Sequence, residues 1–265
     1  MVNYRTVVLS RPVVGAKYEI PITTYTNYWS RLVVDKAREL GITIEVIGKS
    51  VTEMTAEEIE EGNNVTREQV ESALKNFNPI LYCDFGHGDT DRLVASNPNE
   101  YLIKTDENMY LLKGRIVYAF ACLSARELGR KAVENGCLSY CGYDESIYCV
   151  MYCEDGVCST ADGNEETATK FPLELLNGKT TGEAYKSALE EYDYWIKYWY
   201  GKDPNCYSQF SWNKQHMVLL GSQTATIISP LETTLNTLIL LLPVVFTILI
   251  LEAFIKTIQE NITKK

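Results

Sequence analysis

The chain has 265 residues, 46% apolar and 23% charged, a balance normal for a folded protein and enough for one α/β domain with a proper core. Its net charge of −10 argues against nucleic acid as the main partner, because phosphate binding needs a basic surface. The 18 tyrosines are spread along the chain and define no stacking motif.

Residues 6–10 form a short apolar strand, followed by a loop holding Pro12 and Pro21. Apolar residues at helical spacing predict a helix over 28–40 that stops at Gly41. Residues 42–47 are a β-branched strand, and the acidic stretch 52–62 is partly helical. A further helix covers 66–76, with Thr66 and Glu68-Gln69 supplying N-terminal capping chemistry. The run Pro79-Ile-Leu-Tyr-Cys-Asp-Phe-Gly-His-Gly88 reads as a buried strand that delivers His87 between two glycines. Residues 93–112 suggest a loop and hairpin with short strands at 100–104 and 108–112.

A second buried strand, Arg115-Ile-Val-Tyr-Ala-Phe-Ala-Cys-Leu-Ser124, delivers Cys122 directly before a helix expected over 124–134. A strand over 138–143, a polar loop over 155–166, a long tyrosine- and tryptophan-rich helix over 180–200 and a last strand over 216–220 follow. Strands alternating with helices imply a parallel or mostly parallel sheet covered on both faces. Neighbouring parallel strands present their carboxyl ends to one crevice. His87 and Cys122 can therefore meet there, and a thiol beside an imidazole is equipment for nucleophilic attack on a carbonyl.

Five of the eight cysteines (137, 141, 149, 153 and 158) crowd together, but none of their spacings is the two-residue knuckle of structural zinc sites. Burial accounts for Cys137 and Cys141. Cys149, Cys153 and Cys158 lie in an acidic loop, where a disulfide, zinc and plain thiols all stay open.

From 233 to 251 the chain carries no charged residue, which is long enough to span a bilayer as a helix, and Pro243 is tolerated there. A buried or oligomerising C-terminal helix is the alternative. With no leader visible in the first 21 residues, a single C-terminal span with a cytoplasmic domain is expected; Lys256, Lys264 and Lys265 point the other way by the positive-inside rule.

The two strand-end motifs carry a resemblance. Phe85-Gly-His-Gly88 is similar to the histidine motif of the caspase/gingipain-like clan of cysteine peptidases. Phe120-Ala-Cys-Leu-Ser124, then residues 128–136 and Tyr140-Cys-Gly-Tyr143, resemble the nucleophile strand, helix and next strand of its gingipain- and CHAT-type members. The resemblance implies a caspase-like three-layer α/β/α sandwich over residues 1–230, acting on a protein or peptide substrate with no cofactor and no catalytic metal. The charge-free run adds a transmembrane helix over 231–256, meeting lipid through residues 233–255, and a polar tail over 257–265. Cys122 would be the nucleophile, His87 the general base and acid, and the backbone N–H groups of Gly88 and Cys122 the oxyanion donors. The helix expected at Ser124 would favour the thiolate through its N-terminal end. Phe120 and Ala121 stand where relatives that cleave after basic residues or asparagine often carry an acid. Asp84, Asp89 and Phe120 are the candidates for a substrate pocket.

Overall fold

The computed structural model describes residues 2–18, 22–154 and 157–228. In chain order, β1 (Asn3–Ser10) leads to α1 (Ile22–Trp29), α2 (Arg31–Glu39), β2 (Thr43–Ile47), α3 (Ala56–Glu61), α4 (Arg67–Phe77) and β3 (Pro79–Phe85). A small antiparallel sheet of β4 (Gly88–Asp89), β5 (Arg92–Val94) and β6 (Tyr101–Lys104) precedes β7 (Ile116–Phe120), α5 (Leu128–Glu134) and β8 (Ser139–Tyr143). The hairpin of β9 (Met151–Glu154) and β10 (Val157–Thr160) is followed by α6 (Asn164–Leu176), α7 (Thr181–Trp199), α8 (Pro204–His216) and β11 (Met217–Gly221).

The central sheet has the order β11-β8-β7-β3-β1-β2, parallel throughout except for the antiparallel β11 at one edge. The α/β class with a mostly parallel sheet follows from apolar runs that leave no face for water: every residue of β3, β7 and β8 is buried. Alternation along each strand sorts the core into two layers. Val8, Tyr82, Val117 and Tyr140 share one cluster with Val70 and Leu74 of α4 and Leu128 and Ala132 of α5. The alternate residues face the other helices: Tyr118 stacks on Phe171 of α6 at 5.4 Å, and the Tyr143 hydroxyl meets that of Tyr192 of α7 at 2.9 Å.

Chain order makes a switch point. From β1 the chain passes to the edge strand β2, then returns to β3 on the other side of β1. Ligands of such sheets bind in the crevice beyond the carboxyl ends of the strands at that reversal. The loop leaving β1 is held rigidly there. The Asn27 and Asn63 side-chain amides both donate to the Arg11 carbonyl, at 2.8 and 2.9 Å, and Asn63 Oδ1 accepts from Val13 N–H at 2.8 Å.

Several expectations hold. Gly41 closes α2 at φ +63°, and Thr66 and Gln69 form the reciprocal cap of α4. Others change. The helix expected over 28–40 is two helices meeting at Ser30, and the strand expected at 108–112 is a 3-10 turn, Met109–Leu112. Part of the polar loop at 155–166 is strand and helix, and β9 and β10 are joined by the Cys153–Cys158 disulfide, which leaves Cys149 free. Among the described residues no group of three or more His, Cys, Asp or Glu is placed to hold a metal, and no helix is long and apolar enough to cross a membrane. The expected span at 231–256 and the tail at 257–265 lie outside the described residues.

Candidate active site

β3 and β7 are parallel neighbours, and their register pairs Phe85 with Phe120. His87 and Cys122 each stand two residues beyond that pair, in the turns that follow two strands spaced about 4.8 Å apart. Gly88 brings the segments closer still. A Cβ built on it would lie 2.4 Å from the Cys122 carbonyl oxygen and 3.0 Å from the Ala121 methyl, so only glycine lets these backbones touch. The two residues expected to supply oxyanion donors are thus side by side.

Both turns are fastened. The His87 carbonyl accepts from Val94 N–H at 3.0 Å, and Thr26 Oγ1 donates to the Phe85 carbonyl at 3.2 Å. Past Cys122 the chain makes a sharp turn with Leu123 at φ +57°, a left-handed conformation costly for a leucine and typical of functional turns. The Thr90 carbonyl, in the hairpin after His87, accepts from Glu127 and Leu128 N–H at 3.1 and 2.9 Å. One carbonyl thereby ties the histidine hairpin to the end of the cysteine turn.

The helix expected at Ser124 begins instead at Leu128, because residues 122–127 are spent in that turn. Its N-terminal end is therefore displaced from the sulfur, and the dipole argument for the thiolate does not apply. Burial pushes the Cys122 thiol up, partly offset by hydrogen bonds from Ile147 and Ser146. Ile147 N–H donates to Sγ at 3.3 Å.

The three pocket candidates separate. Asp84 is wholly buried: Ser10 Oγ donates to its Oδ1 at 2.5 Å, Oδ2 has no partner, and burial pushes the carboxyl up to about 7. Burial removes it from any pocket wall. Phe120 is 5% exposed, and its ring packs on Trp29, Phe85 and Tyr143 at 6.1, 6.4 and 5.6 Å, making it core beneath the site. Asp89 alone reaches solvent, paired with Arg92 at 3.2 Å. An open cleft of about 460 Å³ is lined by Tyr25, Tyr28, Trp29, Asp162, Glu165 and Glu166; none of His87, Gly88 and Cys122 lines it, and its wall residue Trp29 packs on Phe120. Sequence reasoning missed this cleft and the segment around Ile147.

No protein-family model matches the chain, and no curated protein matches its sequence.

Proposed function

We propose that the chain is a cysteine endopeptidase with a caspase-like α/β/α sandwich, tethered to a membrane through residues 233–255. The observation that carries this reading is the register: Phe85 opposite Phe120, with His87 and Cys122 both two residues on and Gly88 against the Cys122 peptide.

In this reading His87 takes the Cys122 proton, and the thiolate attacks the carbonyl carbon of a substrate peptide. The backbone N–H groups of Gly88 and Cys122 receive the negative oxygen, each such donor contributing about 2.7–4 kcal/mol to the transition state. The tetrahedral intermediate collapses to a thioester as His87 protonates the leaving amine. Water, deprotonated by His87, then hydrolyses the thioester and restores the thiol. No metal or cofactor enters these steps.

One observation favours a second reading, a catalytically inactive module that binds with the same cleft: burial pushes the Cys122 thiol up and so opposes the thiolate. The full chain and its Cys122→Ala variant, incubated with a mixed peptide library and read for new termini by mass spectrometry, separate the two. The peptidase reading expects new termini with the wild type only; none from either chain puts the binding module ahead.

For orientation, two features support a domain outside the reducing cytoplasm, the reverse of the sequence expectation: the Cys153–Cys158 disulfide and the lysines at 256, 264 and 265. In sealed cells or vesicles of right-side-out orientation, external protease should then digest the domain. Full protection would return it to the cytoplasmic side.

A further inference from the structure

Between β8 and β9, residues 144–150 run without regular structure over the Cys122 turn. In an extended chain the N–H and C=O of successive residues point to opposite sides. The contacts here follow that alternation. On one side, the Ser146 carbonyl accepts from Trp212 Nε1 at 2.8 Å. Tyr148 N–H and C=O both engage the side-chain amide of Asn213 at 2.8 Å, and Val150 N–H and C=O engage that of Asn164 at 2.9 and 2.8 Å. Both asparagines are buried and replace a neighbouring strand, α8 supplying one and α6 the other.

The odd-numbered residues consequently face the other way. The Glu145 carbonyl accepts from Leu123 N–H at 3.1 Å, and Ile147 N–H points at Cys122 Sγ at 3.3 Å, with its carbonyl 3.8 Å from the same sulfur. The charged groups of the strap itself are paired, Glu145 with Arg126 at 3.0 Å and Asp144 with His216 at 2.9 Å, and His87 stands on the neighbouring segment.

Resting on the reading of Cys122 as the nucleophile, we infer that this strap is the element that supports the thiolate form of the sulfur against its burial. Ile147 N–H is its donor, and Trp212 and Asn213, which hold the Ser146 carbonyl and the Tyr148 N–H and C=O on either side of it, are the positioning residues that aim it. The strap takes the place of the helix N-terminus that the sequence suggested. Ionisation moves the Sγ proton to His87; the sulfur loses its weak contact to the Ile147 carbonyl and keeps the Ile147 donor, so the strap favours the charged form. Such hydrogen bonds to an ionised group are shorter and stronger than neutral ones.

The test follows the sulfur and not cleavage, so it fails independently of the peptidase reading. The full chain, Trp212→Phe and Asn213→Ala are alkylated with iodoacetamide across a pH series, and modification of Cys122 is read at the peptide level. Trp212→Phe removes the N–H that holds the Ser146 carbonyl, on the same peptide as Ile147 N–H. It and Asn213→Ala should each raise the midpoint of Cys122 alkylation by about one pH unit, a tenfold loss of thiolate below the midpoint equivalent to about 1.4 kcal/mol. An unchanged midpoint in Trp212→Phe overturns the inference, and Trp212 is exposed enough that this variant keeps its fold. A lowered midpoint in either variant also overturns it, since the strap would then act only by excluding water.

Discussion

A His87→Ala chain is expected to cleave peptides roughly 10²- to 10⁴-fold more slowly than the wild type, the contribution of a positioned acid–base group. Gly88→Ala should approach the same loss without removing any reacting side chain. The added methyl group would need space 2.4 Å from the Cys122 carbonyl oxygen, a backbone atom with no rotamer to retreat into. The ends of β3 and β7 must then part by a large fraction of an ångström, and displacement of reacting groups on the order of 1 Å costs about 100-fold in rate. Overpacking of this kind also destabilises, by about 1–3 kcal/mol. Steady-state cleavage and urea unfolding on the same preparations separate the two effects. Gly88→Ala that turns over like the wild type would show that the histidine and cysteine segments do not act as one site.

The parts of this site that could be seen in the sequence are those carried by local patterns. Two apolar runs ending in Gly-His-Gly and Ala-Cys-Leu are buried strands because nothing in them tolerates water, and the sheet makes them neighbours. Their pairing in register needs no more than strands of similar length ending at the same level. The failures come from contacts distant in sequence. Leu123 carries no turn signature, so nothing marked the left-handed turn that delays α5 to Leu128. α8 lacks a helical stripe, although Asp203 capping the Cys206 N–H at 2.7 Å and Pro204 at the first turn were signals that could have located it. The strap has no periodicity at all. Its shape is imposed by Asn213 and Asn164, and neither residue announces that role in a single sequence.

The same consideration applies to Asp84, whose place at the strand end suggested a pocket and whose neighbours made it core. Its carboxyl titrates at about 7 in the fold, because burial disfavours the charge more than the Ser10 hydrogen bond supports it. The unfolded chain releases this proton near pH 4. Between about pH 4 and 7 the native state therefore binds more protons than the unfolded one, and stability falls as pH rises through that window. Below it the contribution is level; above about pH 7 the whole cost is present, on the order of 4 kcal/mol for three pH units. Asp84→Asn removes the charge but leaves a buried amide N–H₂ short of acceptors, which costs about 1–3 kcal/mol at every pH. The variant should thus be less stable than the wild type at pH 4 and more stable at pH 8.5, with the two curves crossing between. Urea unfolding of both chains across that range measures the difference directly, and the titration of other groups cancels in it. Parallel curves would mean that Asp84 is ionised in the fold, with a partner for its second oxygen. Crossing curves would mean that the strand delivering His87 ends on a neutral acid, and that raising the pH weakens the fold at the point from which the histidine is presented.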